Sequence, residues 1–239
     1  MKNLEFKILY ENNNLLVIDK PAGIVVFPEN KITEKTLIDL LLEKYPDLKN
    51  VGKPPRCGIV HRLDKDTSGI LLVAKDNKIL DFLQKQFKTG RLIKKYLALI
   101  VGNLKTEQGK IETFIGRSPK NRMKQKIYLP LEPGAEGKRK AITEYRTLKK
   151  FPDYTLVEVV PKTGRKHQIR CQFAHLGQPI AGDKLYGFKN QPCPKGLSRQ
   201  FLHASYLEIK SPNNKIKIFC SDLSKDLKEV LKNLKTHPV

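Results

Sequence analysis

The stretch His61-Arg62-Leu63-Asp64-Lys65-Asp66-Thr67-Ser68-Gly69-Ile70-Leu71-Leu72-Val73-Ala74 decides how the rest of the chain is read. A charged, turn-forming segment runs directly into an unbroken apolar run, the pattern of a polar turn feeding a buried strand. Asp64 stands two residues after Arg62 at the mouth of that strand, where a lone carboxylate suits chemistry better than phosphate binding. The chain around it is strongly basic. Its 46 Lys and Arg against 24 Asp and Glu give a formal net charge of +22 over 239 residues. Self-repulsion of that size disfavours a compact state and is most simply explained by a polyanionic partner. Together the two features suggest an enzyme that acts on nucleic acid.

Composition narrows the setting. With 39% apolar residues the chain can build its own core. The opening Met1-Lys2-Asn3-Leu4-Glu5-Phe6 has no apolar run of signal-peptide type, and nothing approaches the roughly 18 apolar residues of a membrane span. A cytoplasmic protein without a membrane partner is expected. The one basic amphipathic stretch, Ser224 to Lys235, sets Leu227, Val230, Leu231 and Leu234 on one face, more simply a stripe docked on the core. Cys57, Cys171, Cys193 and Cys220 lie far apart with no C-x-x-C pair, as in a cytosolic protein with reduced thiols. His61, His167, His175, His203 and His237 have no metal-ligand spacing, and no Gly-rich phosphate or dinucleotide loop occurs. A reaction without metal or cofactor is favoured.

Strand-like runs dominate: Ile8 to Tyr10, Asn14 to Asp19, Gly58 to His61, Ile70 to Lys75, Lys95 to Val101, Lys110 to Ile115, Ala141 to Leu148, Thr155 to Val160, Phe201 to Ile209 and Lys215 to Phe219. Helical stripes fall at Leu37/Leu40/Leu41/Tyr45 and at Ile79/Phe82/Leu83/Phe87, the second opening after the cap candidate Asp76-Asn77. Two more helices are expected at Lys166 to Leu176 and at the C-terminal stripe. Strands outnumber helices without strict alternation, which predicts an α+β fold with a largely antiparallel sheet. No linker divides the chain, so a single domain over residues 1–239, in two lobes, is expected. The least regular stretch, Arg117 to Lys140, holds Arg117, Lys120, Arg122, Lys124, Lys126, Lys138, Arg139 and Lys140. It reads as a mobile basic loop clamping an RNA backbone, or as a solvated excursion.

Three clusters are candidates for chemistry. In the first, Asp64 is a nucleophile or general base, while Asp66-Thr67-Ser68-Gly69 reads equally as a self-satisfied turn. Asp64-Lys65-Asp66-Thr67 also matches the D-x-D-x-T pattern of aspartyl-phosphate phosphatases, but the long apolar strand that pattern needs before its first Asp is missing. The second cluster, Lys162-Thr163-Gly164-Arg165-Lys166-His167-Gln168-Ile169-Arg170, sets four cations and a histidine at a helix entry. They could grip phosphate, or one arginine could hold a buried carboxylate bidentately. In the third, Tyr96 offers a stacking face for a base or a core tyrosine.

The segment His61 to Lys75 is similar to the signature of the RluA-type pseudouridine synthases, and Thr163 to Arg170 resembles that family's later motif. Further pieces follow in the family's order: Val17 to Gly23, Lys95-Tyr96, Pro179 to Asp183 and Leu202-His203-Ala204. The resemblance implies that family's catalytic fold, a mixed, largely antiparallel sheet in two lobes flanked by helices, with the active-site cleft across the sheet. It implies isomerisation of uridine to pseudouridine in structured rRNA or tRNA, without cofactor. Asp64 is then the catalytic carboxylate, Arg170 the cation holding it ionised, and Tyr96 the stacking residue beneath the uracil. Arg62 would fill the stack as the uridine flips out. His61, Arg122, Lys124, Lys126, Arg165 and Lys166 are the expected RNA contacts, and Leu202 is a candidate for the pocket floor. Because about 15–20 residues precede the Lys-Pro-Ala-Gly motif, no N-terminal accessory RNA-binding domain is expected. No obligate protein partner is evident from the sequence. A non-catalytic RNA-binding or chaperone protein on the same fold is the alternative reading.

Overall fold

The computed structural model describes residues 5–28 and 34–234; residues 1–4 of the opening segment, with Lys235 and His237, lie outside the described residues. In chain order the elements are β1 (Lys7–Glu11), β2 (Leu15–Lys20), α1 (Leu37–Lys44), a 3₁₀ turn (Pro46–Asn50), β3 (Ser68–Ala74), α2 (Asn77–Thr89) and β4 (Ile93–Val101). There follow β5 (Gln108–Arg117), β6 (Gln125–Tyr128), β7 (Arg139–Lys150), β8 (Tyr154–Pro161), α3 (Gln168–His175), β9 (Leu202–Lys210), β10 (Ile216–Cys220) and α4 (Lys225–Asn233). The fold is α+β, as the pattern predicts. The chain forms two compact units, one of residues 1–94 with 204–222, the other of residues 95–203 with 223–239.

In the first unit the strands run β1-β2-β3-β9-β10, antiparallel in the pairs β1/β2, β2/β3 and β9/β10. Every residue of β3 is buried, which is why its sequence shows no alternation: a strand covered on both faces has no polar side to mark. It pairs with the buried Leu15 to Ile18 of β2 in a register that sets Lys20 opposite Gly69 and Leu15 opposite Ala74. α2 covers this sheet through Leu80 and Leu83, and starts where the sequence predicts, with the Asp76 carboxylate accepting the Ile79 N–H at 2.8 Å. The outer strands β1 and β10 meet through side chains, Tyr10 lying 5.6 Å from Phe219 between ring centroids.

In the second unit the order is β4-β8-β7-β5-β6, antiparallel throughout. Its core joins Ala98 to Val101 with Val157, Val159, Phe173 and Phe201, and takes in Leu227 and Val230 of α4. The basic amphipathic C-terminal stripe is thus a core-docking face. No helix among the described residues is long and apolar enough to cross a membrane.

Two expectations need correction. Gly58 to His61 is not a strand. Only an isolated bridge, Ile59 to Val73, forms there, because Gly58 turns the chain at φ +72° and the His61 ring takes a ladder position. Its Nε2 accepts the Leu72 N–H at 3.1 Å where a backbone carbonyl would otherwise do so. Nor is the segment from Arg117 to Lys140 irregular throughout. β5 and β6 form a hairpin pairing Arg117 with Gln125, and Ile127 and Tyr128 are buried. A four-residue strand among lysines is too short to show a period.

Gly69 fixes the closest approach in the first unit. At φ +114°, a Cβ there would meet the Ala204 carbonyl oxygen at 2.2 Å and its nitrogen at 2.7 Å. Gly69→Ala is therefore expected to destabilise the protein by about 2 kcal/mol or more, through backbone strain and overpacking together. The check is thermal unfolding, with a fall in Tm of roughly 4–8 °C; an unchanged Tm would contradict the close approach.

Candidate active site

Asp64 lies in the first unit on a turn whose geometry is imposed from below. Its carbonyl accepts the Thr67 N–H at 3.1 Å, and Thr67 and Ser68 are buried. The next carbonyl, of Lys65, accepts the Gly23 N–H at 2.9 Å and the Lys20 ammonium at 3.0 Å. Lys20 is fully buried, and also donates to the carbonyls of Pro21 at 2.8 Å and Ile24 at 3.0 Å. A buried ammonium is costly unless dipoles surround it, and three carbonyls supply them here. The Lys-Pro-Ala-Gly segment thereby clamps the Asp64 turn to the end of β2.

Arg62 sits beside the carboxylate. Its guanidinium lies 5.2 Å from the Phe27 ring centroid, and Arg56 lies 4.8 Å from the same ring. Burial lowers the Arg62 pKa and the Asp64 charge opposes that fall, so the two side chains share one electrostatic neighbourhood. His61, an expected RNA contact, is engaged within the first unit. It stacks on Phe87 at 4.4 Å, and burial, reinforced by the Lys94 charge, pushes its pKa down to about 3. The imidazole is neutral at physiological pH and works as a ladder acceptor.

In the second unit β8 leads through a six-residue turn into α3. His167, in the left-handed region at φ +55°, is the residue before the helix. Thr163 accepts the Ile142 N–H at 3.0 Å, and Gln168 donates to the Ile142 carbonyl at 3.0 Å and to Thr143 at 2.9 Å. α3 is buried all round from Gln168 to Phe173: Ile169 and Phe173 join the apolar core while Gln168, Arg170 and Gln172 are buried polar side chains.

Arg170 is the charged member of that buried set. Its Nε donates to Asp183 Oδ2 at 2.7 Å and its Nη2 to Oδ1 at 2.9 Å, a bidentate pair in which both partners are buried. An arginine holding a buried carboxylate bidentately is one of the two uses foreseen for this cluster; the carboxylate expected from the resemblance is Asp64, and the bidentate pair seen here is with Asp183. Burial alone would raise the Asp183 pKa. The Arg170 hydrogen bonds and charge, with the N–H groups of Tyr186 and Leu185, outweigh it and hold the carboxyl below its usual range. The Tyr186 ring lies 5.2 Å from the Arg170 guanidinium. Its hydroxyl pairs with His167 Nδ1 at 2.9 Å and accepts the Gln125 N–H at 2.7 Å, which ties the return strand of the basic hairpin to this centre. Sequence reasoning assigned no role to Asp183 or Tyr186, although the Pro179 to Asp183 motif was the available signal.

The remaining candidates divide. Tyr96 lies on β4 opposite Val159, packed partly against the core. Leu202 is buried in the core of the second unit. Arg122 is exposed and Lys124 half-buried at the tip of the β5–β6 hairpin, whereas Lys126 is paired with Glu132 at 2.9 Å. Arg165 donates through Nε to the Lys140 carbonyl at 3.0 Å, so part of its fork is structural; Lys166 is exposed. Among the described residues no cluster of His, Cys, Asp and Glu could hold a metal ion, and all four cysteines are free thiols.

Asp183→Asn removes the carboxylate charge that the Arg170 guanidinium holds bidentately, which is expected to cost about 3 kcal/mol or more. Because the Asp183 pKa is lowered on folding, this stabilisation is complete above the unfolded value near 4 and is lost as pH falls through the folded value. Denaturant unfolding of both proteins checks it. The gap between them should be widest near neutral pH and narrow in acid, and a gap independent of pH would contradict the ion pair.

The family model described as RNA pseudouridylate synthase matches residues 14–175. An uncharacterised RNA pseudouridine synthase of Chloroflexus aurantiacus is 42% identical over 217 residues, covering 90% of this chain and 65% of the relative. The ribosomal large subunit pseudouridine synthase D of Borreliella burgdorferi is 40% identical over 225 residues, covering 93% of this chain and 67% of that one. The chain thus spans about two thirds of the length of these relatives. The solved structure of human RNA pseudouridylate synthase domain containing 1 superposes with a TM-score of 0.76 at 26% identity, over 95% of this chain and 88% of that one. A match of this extent, carried by the segments that form the Asp64 turn and the Arg170 helix, places the chain in the RNA pseudouridylate synthase family.

Proposed function

We propose that the protein is an RNA pseudouridine synthase, converting uridine to its C-glycoside isomer, with Asp64 as the catalytic carboxylate. The observation that carries this reading is the clamped Asp64 turn within the family's signature segment. A buried ammonium and a buried strand hold one carboxylate at the end of β3, beside the guanidinium of Arg62. In the reaction the N1–C1′ bond breaks, the uracil turns, C5 bonds to C1′, and C5 loses a proton as N1 gains one. Nothing is oxidised and no group leaves, so one carboxylate and a pocket that retains the free base meet the chemical demand.

Roles carried over from the sequence resemblance complete the assignment. Asp64 attacks the uracil ring or the anomeric carbon, Arg170 keeps it ionised, and Tyr96 stacks on the base and assists loss of the C5 proton. Arg62 fills the gap left by the extruded uridine. The cations at the hairpin tip, Arg122 and Lys124, with Lys166, contact phosphates, which gives the net charge of +22 its use. Relatives named ribosomal large subunit pseudouridine synthase D favour a uridine of large-subunit ribosomal RNA over transfer RNA. Mapping pseudouridine in both RNAs from cells with and without the gene tests that choice.

Asp64→Asn is expected to abolish pseudouridine formation while leaving RNA affinity within about twofold, since it removes the reactive carboxylate and one repulsive charge. Single-turnover assays read the first and titration of labelled RNA the second; wild-type turnover would remove Asp64 from the chemistry. Arg62→Ala should slow reaction on a uridine stacked in a stem far more than on one in a short flexible strand, because extrusion from a stack costs a few kcal/mol. Equal losses on both substrates would assign Arg62 to chemistry or phosphate binding instead.

A further inference from the structure

The first unit holds a cavity that takes no part in the Asp64 turn. It has a volume of about 430 Å³ and lies between the β1–β2 turn, α2 and the β9–β10 turn. Its lining is largely apolar, with Leu15, Ile79 and Phe82, and also includes Lys210, Asn213 and Lys215. No carboxylate lines it. Among the described residues neither the Lys210 nor the Lys215 ammonium has an acidic partner, in a protein where many surface lysines do. The Asn213 carboxamide oxygen is occupied by Ser211 Oγ at 2.7 Å and the Lys215 N–H at 3.4 Å, which leaves its NH₂ as the donor on offer.

We propose that this cavity is a second nucleotide-binding site, taking an unpaired nucleotide of the RNA substrate some distance from the uridine at Asp64. The proposal rests on RNA being the substrate. Aromatic and apolar walls accept the face of any base, and stacking on an aromatic ring tolerates any sequence because every base has a π-face. The Asn213 NH₂ meets ring carbonyls or nitrogens on a base edge, and the two unpaired ammonium groups match the flanking phosphates. The volume suits one nucleotide and lies within the range of small-ligand pockets. The strand register gives the spacing. Lys20 and Gly69 pair at the Asp64 end of β3, and Leu15 and Ala74 pair at the cavity end. Five residues at about 3.3 Å each separate the two ends by roughly 17 Å, about five nucleotides of stacked strand at 3.4 Å each. One structured RNA can engage both sites, and a trinucleotide cannot.

The test uses the full chain and three variants. Lys210→Glu with Lys215→Glu reverses the rim, and Ile79→Trp fills the cavity while keeping the lysines. Lys228→Glu with Lys232→Glu on α4 makes the same charge change in the second unit. Affinity is measured over a range of KCl for a structured fragment of large-subunit ribosomal RNA and for a uridine-containing trinucleotide. The rim and filling variants should each lose about tenfold on the structured RNA and nothing on the trinucleotide. The rim variant should also flatten the log–log salt slope by roughly 1.4–1.8, because two phosphates are then no longer neutralised. Wild-type affinity in either cavity variant overturns the proposal, as does an equal loss in the α4 control, which would show an effect of net charge alone. Should Ile79→Trp lower the Tm, photo-crosslinking of 4-thiouridine-substituted RNA to wild-type protein replaces it. A crosslink on the peptide containing Phe82 supports the site, and its absence there overturns it. Because every readout is binding, loss of pseudouridine formation in the wild type would refute the proposed reaction without altering these outcomes.

Discussion

The ammonium of Lys20 is the contact on which the geometry of the first unit turns. It is wholly buried at the last residue of β2, and binds three carbonyls belonging to two segments that are distant in sequence. An aliphatic side chain would leave those carbonyls without donors inside the protein, and a lysine without the carbonyls would be an uncompensated buried charge. Each side of the contact requires the other. The turn carrying Asp64 is therefore held to the sheet as well as by its own Asp64–Thr67 hydrogen bond, and Gly69 lets the chain pass against Ala204 immediately afterwards.

The second unit solves the same problem with a different pair. Arg170 and Asp183 are both buried, and their bidentate geometry with two backbone N–H groups satisfies the carboxylate almost completely. Such pairs stabilise modestly against apolar substitutes but fix orientation strongly, because breaking either half strands the other. Tyr186 extends the arrangement by covering the guanidinium and holding the backbone of Gln125. The basic hairpin is in this way anchored to the element that carries Arg170.

The surplus of positive charge is not spread evenly in its effects. Lys126, Lys140, Lys150 and Lys162 are held by neighbouring carboxylates at exposed positions, where such pairs add little to stability and mainly lower the local charge. Lys20 and Arg170 are structural cations in the interior. The charge available to a polyanion is therefore smaller than the formal total.

The sequence by itself determined the α+β class, nine of the ten strands and the four helices among the described residues, and the family, because those rest on local signals: apolar runs, helical periodicity, the Asp76 cap and ordered motifs. The Asp64 turn was legible for the same reason, since its charged residues abut a strand with no polar face. Tertiary structure alone decided the rest. Nothing local distinguishes His61 as a neutral acceptor from His61 as a cation; its burial under Phe87 does. The strand β6 is too short for a period and exists because β5 offers it a partner. Asp183 stands thirteen residues from Arg170 across a helix end and a turn, a separation at which sequence carries no geometry. Only folding brought the carboxylate to the guanidinium, and it did so because neither charge could be buried alone.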